Sequence, residues 1–150
     1  MIIRSARREE ADPIAATVID QPLLQRYGTS RDDLAQQLAQ AIDQVLVAEA
    51  ANKIVGVAWF LSSGTLGLGG YLKLISVAPG CEGRGIGSAL LDEVERRVRE
   101  KSRHLFLLVS HFNDAAQRFY ERRGYQRIGA LPSLVKPEID EILYWKNLPV

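Results

Sequence analysis

A strand, a glycine-rich loop and a helix follow one another directly in the middle of this 150-residue chain. An apolar strand pattern over 72–77 is followed by three glycines at alternate positions, Gly83, Gly85 and Gly87. Apolar residues at helical spacing then run over 86–98. Helix N-termini carry unpaired N–H groups and about half a positive charge, and a loop without side chains lets a phosphate reach the backbone. The segment therefore predicts a site for an anion such as a pyrophosphate.

The amino-acid composition is typical of one globular domain, and we predict that this domain spans residues 1–150. Hydrophobic residues make up 47% of the chain and charged residues 25%. Nineteen basic residues nearly balance eighteen acidic ones, so the overall charge predicts neither a nucleic-acid partner nor a membrane partner. Cys81 is the one cysteine, which excludes an internal disulfide, and we expect no metal site. Without a signal-peptide pattern at the N-terminus, a cytoplasmic location is the default expectation.

The remaining pattern predicts secondary structure in the order β-α-α-β-β-β-α-β-α-β-β. Strands over 45–50 and 54–61 read as a hairpin with a tight turn around Asn52. The glycine-rich stretch 62–70 is expected to be a flexible turn, and the stretch 130–140, with two prolines, a loop. Hairpins mixed with crossovers imply a mixed sheet in an α+β domain.

The glycine loop does not fit two well-known phosphate loops. A dinucleotide-binding G-x-G-x-x-G would need a third glycine at Ser88, and the chain has no G-K-[ST] triplet. The pattern that remains is [QR]-x-x-G-x-[GA], which binds the pyrophosphate of coenzyme A. Gly85 and Gly87 fill its two small-residue positions.

A second segment supports the same interpretation. The stretch NDAAQRFYERRGY, from Asn113 to Tyr125, fits N-x-x-A-x-x-F-Y-x-x-x-G-[FY] at every defined position. With these two motifs in this order, the chain resembles the GNAT superfamily of N-acetyltransferases over essentially its whole length. The resemblance implies the GNAT fold, a three-layer α/β arrangement in which helices flank a central mixed, mostly antiparallel sheet.

The resemblance also implies acetyl-CoA as the cofactor. It assigns the cofactor contacts to the strand before the loop, the loop itself and the second motif: Ile75, Ser76, Val77, Glu82, Gly83, Arg84, Gly85, Ile86, Gly87, Ser88, Asn113, Ala116 and Tyr120. The main chain around 75–77 is expected to hold the pantetheine arm like an added strand, with the Val77 N–H polarising the thioester carbonyl. Asn113 is equally natural as a helix N-cap.

Tyr120 stands where the family places its general acid. A tyrosine titrates near pH 10 and a thiol near pH 8.5, so a tyrosine hydroxyl can protonate the leaving thiolate. The alternative is a core aromatic, because Ala116, Phe119 and Tyr120 share one helical face.

Glu82 departs from the motif, which has Arg or Gln at this position. In one interpretation the backbone N–H groups over 83–88 carry the phosphates, Arg84 compensates the charge, and Glu82 turns to solvent. In the other, the carboxylate weakens or abolishes coenzyme A binding, and the chain is a non-catalytic acyl-CoA-binding or sensing module of the same fold.

The general base is left open by the sequence. Some relatives use a glutamate on the strand before the loop, but no Asp or Glu occurs over 50–81. Candidates lie elsewhere in the chain: Asp20, Asp32, Glu49, Tyr71, Asp140 and Glu141. A relay through water and backbone carbonyls is the alternative.

Acceptor specificity is expected from the segments 21–30 and 130–140. Residues considered for the acceptor side are Tyr27, Glu49, Tyr71, His111 and Leu134, with Asp140 or Glu141 holding a cationic amine. The expected reaction is direct acetyl transfer, in a ternary complex, to a primary amine of a small molecule or peptide. A different acyl donor or an oxygen acceptor is also open. Three apolar residues of the last strand suggest a homodimer contact, with completion of the core as the alternative: Ile142, Leu143 and Trp145.

Overall fold

A computed structural model describes residues 1–149. Over this range the strands are β1 (Ile2–Ser5), β2 (Val45–Ala50), β3 (Lys53–Thr65), β4 (Gly69–Val77), β5 (His104–Ser110), β6 (Gln126–Lys136) and β7 (Ile139–Asn147). The α-helices are α1 (Ala11–Val18), α2 (Pro22–Arg26), α3 (Arg31–Gln40), α4 (Ile86–Arg99) and α5 (Asp114–Arg122). The predicted order of elements is confirmed, with α2 added in the segment that we expected to be a connection.

The strands form one sheet in the order β1-β2-β3-β4-β5-β7-β6. The β4–β5 pair is parallel, whereas β1–β2, β2–β3, β5–β7 and β6–β7 are antiparallel. This confirms the predicted mixed, mostly antiparallel sheet. The predicted hairpin is also present, and its turn lies at Ala51 and Asn52, which both have positive φ, as a tight turn between twisted strands requires.

The described chain divides into two compact units, so the single domain over 1–150 stays a prediction, and its last residue, Val150, lies outside the described residues. The first unit comprises 1–60 and 74–94. Its core joins helices α1 and α3 to strands β2 and β3 through buried side chains: Ile14, Val18, Leu34, Leu38, Val47, Val57 and Trp59. Burial of each large aliphatic chain contributes about 1.5–3 kcal/mol.

The start of α4 lies directly against β3 in the first unit. A Cβ at Gly56 would stand 2.9 Å from Cγ2 of Ile86 and 3.1 Å from Cδ1 of Leu90, closer than carbon atoms normally approach. Glycine at position 56 therefore allows the first turn of the helix to seat on the strand. This contact fixes the end of the glycine loop.

The second unit comprises 61–73 and 95–150. One side of its ladder is buried through Leu105, Leu107, Val109, Ile142 and Tyr144. Also buried is Glu95, which accepts a hydrogen bond from the Tyr125 hydroxyl at 2.8 Å and pairs with Nζ of Lys146 at 3.1 Å.

The homodimer contact inferred from the last strand needs a correction. Ile142 is only 2% exposed because it faces the core, so it is not available to a partner. The large exposed apolar side chains of this hairpin lie on β6 instead: Ile128, Leu131, Leu134 and Val135.

Two stretches predicted to be irregular are largely strand. Pairing extends β3 to Thr65 and begins β4 at Gly69, which leaves a short turn in place of the flexible stretch 62–70. The predicted loop 130–140 is also wrong, because β6 runs to Lys136 and β7 begins at Ile139. An edge strand tolerates proline, so Pro132 does not end β6, whereas Pro137 lies in the turn between β6 and β7.

An ion-pair network ties β1 to the start of the first helical segment. The Arg4 guanidinium contacts Glu10 at 2.7 Å and Glu49 at 2.9 Å, and the backbone N–H of Arg7 donates to Glu10 at 2.7 Å. The hydrogen bond from Arg4 lowers the pKa of Glu10 from 4.5 to about 2, against the effect of burial. Glu10 therefore stabilises the fold above its unfolded pKa, and this contribution is lost as the pH falls through about 2.

We expect Glu10→Gln to lower the free energy of unfolding by about 1–3 kcal/mol at pH 7, because the carboxylate accepts charge-assisted hydrogen bonds. Urea unfolding at pH 7 and pH 3 measures the loss, and the difference from wild type should be smaller at pH 3. Glu9→Gln is the matched control, because the Glu9 side chain is 73% exposed and an exposed pair contributes little. Equal losses in both variants would contradict the assigned role of Glu10.

Candidate active site

The glycine loop adopts the backbone that its sequence predicts. Gly83 and Gly85 have φ of +77° and +80°, a region that residues with a Cβ rarely adopt. Helix α4 begins immediately afterwards, and its first hydrogen bond joins the Ala89 N–H to the Gly85 carbonyl at 3.0 Å. The N–H groups over 86–88 precede that bond and so have no partner within the helix. They form a site for an anion at the positive end of a helix.

Glu82 folds back onto the turn that precedes it. Its Oε1 accepts the Gly80 N–H at 2.7 Å, and its Oε2 accepts Nε2 of Gln21 at 3.2 Å. A hydrogen bond from its own N–H, followed by those from Gln21 and Gly80, lowers the pKa of Glu82 below its ordinary value. The carboxylate is therefore charged at neutral pH and engaged with the turn before the loop.

Gln21 is a residue that the motifs did not reveal. Its Nε2 also donates to the carbonyl of Val77, the last residue of β4, and its backbone forms the N-cap position of α2. The one sequence signal for Gln21 was its position as the first residue of segment 21–30, from which acceptor specificity is expected. The side chain links that segment to the strand end and to Glu82.

The β4–β5 ladder pairs Gly70–Leu72 with β5, and β4 continues beyond it to Val77. The main chain over 75–77, expected to hold pantetheine, lies beyond that ladder. The Ala78 N–H next to it donates to the Val55 carbonyl at 2.8 Å. The expected thioester contact of Val77 stays a prediction.

Helix α5 of the second unit has the ends that its motif predicts. Oδ1 of Asn113 accepts the Ala116 N–H at 3.1 Å, so Asn113 is the N-cap. Gly124, at φ +90°, follows the last turn. The amide NH₂ of Asn113 is a separate donor, so capping leaves its expected cofactor role possible, and that role, like the one of Ala116, stays a prediction.

Tyr120 lies on α5 against two other aromatic rings. Its ring centroid is 5.1 Å from that of Phe119 and 5.6 Å from that of Tyr125, both edge-on. The side chain is half-buried, and desolvation raises the pKa of Tyr120 above its ordinary value of 10.0. The hydroxyl therefore keeps its proton at neutral pH, as a general acid must.

The candidate bases and acceptor-side residues of the first unit lie either in an ion pair or at the protein surface. Glu49 contacts Arg4 at 2.9 Å within the ion-pair network. Asp20 and Asp32 are exposed, and Tyr27 is a half-buried residue at the C-terminal end of α2. None of these contacts tests a role in transfer, so the roles considered for Glu49 and Tyr27 stay predictions.

The second unit brings several candidates to one end of its ladder. Glu141 is 5% exposed and pairs in register with Ser110, whose Oγ donates to Oε1 at 3.5 Å. Burial, and then the negative charge of Glu141, raise the pKa of Tyr71. Tyr71 is thus uncharged at neutral pH and close enough to Glu141 to sense its charge.

His111 is bound to the backbone of Asp140. The Asp140 N–H donates to Nδ1 of His111 at 3.0 Å, and the His111 N–H donates to the Asp140 carbonyl at 2.9 Å. When Nδ1 accepts that bond, the ring proton of neutral His111 resides on Nε2. In this form His111 can donate a hydrogen bond through Nε2. Its assignment to the acceptor side stays a prediction.

Residues 1–149 show neither a metal-binding cluster nor a membrane-spanning helix. No group of three or more His, Cys, Asp or Glu side chains in this range could hold a metal ion. No described helix is long and apolar enough to cross a membrane.

Comparison with known proteins places these features in a family. Residues 13–125 match the model of the Acetyltransferase (GNAT) family. The chain is 35% identical over 77 residues to the uncharacterized protein YdhI of Bacillus subtilis (strain 168), which covers 47% of this chain and 48% of that protein. The chain thus spans about half the length of this curated relative.

Solved structures share the fold across the whole chain. An aminoglycoside 6'-N-acetyltransferase complexed with coenzyme A has a TM-score of 0.82 at 18% identity, covering 100% of this chain and 99% of that one. A ribosomal-protein-alanine N-acetyltransferase from Brucella melitensis has a TM-score of 0.78 at 22% identity, covering 99% and 100%. At these identities the likeness establishes the GNAT fold, as predicted.

The family match covers both motifs, from the strand before the glycine loop to the end of the α5 segment. Members of this family use acetyl-CoA as the acetyl donor, in agreement with the cofactor expected from the loop. The chain belongs to the acetyltransferase (GNAT) family.

Proposed function

We propose that this chain is an acetyl-CoA-dependent N-acetyltransferase that acetylates a primary amine of a small molecule or peptide by direct transfer in a ternary complex. The observation that carries the proposal is the loop itself. Gly83 and Gly85 adopt left-handed backbone directly before the first N–H groups of α4. These groups suit a pyrophosphate in position and in charge.

Glu82 does not oppose this assignment. Its carboxylate is bound by the Gly80 N–H and the Gln21 amide, so the side chain is engaged with the turn before the loop. This supports phosphate binding by the backbone over 83–88, with Arg84 as the nearby cation. A carboxylate turned toward the phosphates would instead cost about 1 kcal/mol or more.

Acetyl-CoA, when bound, supplies the activated thioester. The residues of the chain then have separate tasks in the proposed reaction. The N–H of Val77 donates to the developing oxyanion. The Tyr120 hydroxyl gives its proton to the thiolate that leaves when the C–S bond breaks, and the raised pKa favours the return of a proton afterwards. The amine loses its proton to water or to one of the candidate bases.

A thiol-release assay with acetyl-CoA tests the proposal. The panel includes spermidine, lysine, 2-phenylethylamine, kanamycin as an aminoglycoside, and a peptide beginning with alanine, since two structural neighbours are named for the last two acceptor types. We expect acetyl-CoA-dependent release with at least one amine. Tight coenzyme A binding without turnover of any amine would favour the sensing module, which the Glu82 departure motivates.

A further inference from the structure

Strand β4 enters the glycine loop through a tight turn over 78–81. The Cys81 N–H donates to the Ala78 carbonyl at 2.9 Å, and Gly80, the third residue of the turn, has φ +86°. Proline in the second position and glycine with positive φ in the third are typical of a type II turn. This turn sets the direction in which the chain leaves β4, and so it places the glycine loop that follows.

The Glu82 carboxylate accepts hydrogen bonds from this turn and from segment 21–30. Its Oε1 accepts the Gly80 N–H at 2.7 Å, and its Oε2 accepts Nε2 of Gln21 at 3.2 Å. Hydrogen bonds to an ionised acceptor are stronger than those between neutral groups. Glu82 comes directly before Gly83, the first glycine of the loop, so the carboxylate ties the start of the loop back to the turn.

Gln21 is itself held by its backbone. Its N–H donates to the Val18 carbonyl at 3.0 Å, at the end of α1. Its side-chain amide donates to the Val77 carbonyl and to Glu82, and the contact with Glu82 leads to the loop. The start of the loop is therefore connected, through one carboxylate and one amide, to a packed helix of the first unit.

The residue types that the coenzyme A motif has at this position cannot make the same contacts. Arginine has N–H donors and no acceptor, so it could accept a hydrogen bond from neither Gly80 nor Gln21. Glutamine has a single oxygen acceptor, which is uncharged and would have to serve both donors. A carboxylate has two charged oxygens, and in this chain each of them has a different partner. Glu82 therefore matches the donors that surround it.

We infer that Glu82 is a positioning residue for the phosphate-binding loop, and that restoring the arginine or glutamine of the motif weakens coenzyme A binding. The inference rests on the coenzyme A site of the proposed function and adds a residue to it. Electrostatic repulsion alone predicts the opposite, because either substitution removes a negative charge next to the diphosphate. From tightest to weakest, the order is glutamate, glutamine, arginine if the carboxylate supports the loop, and the reverse if it repels the ligand.

Calorimetric titration with coenzyme A measures this order directly. We expect the dissociation constant to rise about threefold in Glu82→Gln and about tenfold in Glu82→Arg, because the variants lose part or all of the hydrogen bonding to an ionised acceptor. Glu9→Gln and Glu9→Arg are the matched controls, since they change the net charge by the same amounts at a side chain that is 73% exposed. Both controls should bind coenzyme A like the wild type.

Gln21→Ala tests the same connection from its other end. It should raise the dissociation constant about threefold, and adding Glu82→Gln to it should weaken binding less than Glu82→Gln does alone, because both substitutions remove one shared contact. Gln25→Ala is the matched control, since Nε2 of Gln25 donates to the Ile19 carbonyl at 2.8 Å in the same part of the chain. This control should keep the wild-type affinity.

Two further measurements distinguish positioning from a general loss of structure. In Glu82→Arg the KM for acetyl-CoA should rise while kcat is unchanged, which is the pattern of a lost binding contact. The urea midpoint of unfolding should also be unchanged, because Glu82 is exposed and surface substitutions affect stability little.

The outcomes separate this inference from the proposed function. Tighter or unchanged binding in Glu82→Arg, an equal loss in Glu9→Arg, or a loss of folded protein that accounts for the weaker binding would each overturn the inference and leave the N-acetyltransferase function standing. The expected order of affinity without acetyl transfer to any amine would overturn that function and retain the role of Glu82. A wild type that does not bind coenzyme A would overturn both.

Discussion

Tyr120→Phe is expected to lower kcat for acetyl transfer by about 10²- to 10³-fold and to leave the dissociation constant of acetyl-CoA unchanged, since a positioned general acid contributes on this scale. The substitution removes only the hydroxyl, so the ring contacts with Phe119 and Tyr125 are kept. Stopped-flow measurement of thiol release under single-turnover conditions would separate the chemical step from product release.

Tyr125→Phe is the matched control for this prediction. It removes a tyrosine hydroxyl from the same aromatic cluster, but that hydroxyl donates to Glu95 at 2.8 Å, so the expected loss is about 1–3 kcal/mol of stability with little change in rate. Because burial raises the pKa of Tyr120, its titration should not reduce kcat below about pH 10. A wild-type rate in Tyr120→Phe would remove Tyr120 from the chemistry.

The second large effect is expected at Gly85. Gly85→Val should weaken coenzyme A binding roughly tenfold or more, because a left-handed backbone costs a residue with a Cβ about 1–2 kcal/mol and the new side chain would stand where the backbone meets the phosphates. Fluorescence or calorimetric titration with coenzyme A measures the loss. The adenosine fragment without the pyrophosphate should bind wild type and variant alike.

Gly67→Val separates the backbone cost from the binding cost. Gly67 has φ +69°, compared with +80° at Gly85, and an added Cβ would meet no atom within 4 Å at either position. Both variants should therefore lose similar stability, but Gly67 lies in the turn between β3 and β4 and its variant should keep its affinity for coenzyme A. Equal loss of affinity in both variants would show that the loop effect is only a matter of stability.

The features that sequence predicted well are those encoded over short distances. The loop and the start of α4 follow from glycine spacing and helical periodicity, and the α5 caps follow from Asn113 and Gly124. Hydrophobic pattern failed on the second half of β6, over 130–136, because all eleven residues of this strand are exposed. An edge strand without a buried face shows no alternation, and Pro132 within it looks like a loop signal.

The candidate site was predictable where a motif specifies residue types and not where distant segments meet. The hydrogen bond from the Gln21 side chain to the Val77 carbonyl joins positions far apart in the chain. No periodicity of the sequence predicts such a contact. The pairing of Glu141 with Ser110 depends on the β5–β7 register, which a one-residue shift would change. Sequence could only include Glu141 among several carboxylates.

The carbonyl of Val77 already has an amide partner in Gln21. In the proposed reaction, a pantetheine amide that pairs with this carbonyl replaces one N–H···O=C bond by another, so the exchange itself contributes little net free energy. Its consequence is kinetic: Gln21 is the first residue of segment 21–30, and release of its side chain removes the hydrogen bond that ties the start of this segment to β4. Arrival of the donor is thereby coupled to the segment in which acceptor choice is expected, which favours an order of binding with acetyl-CoA first.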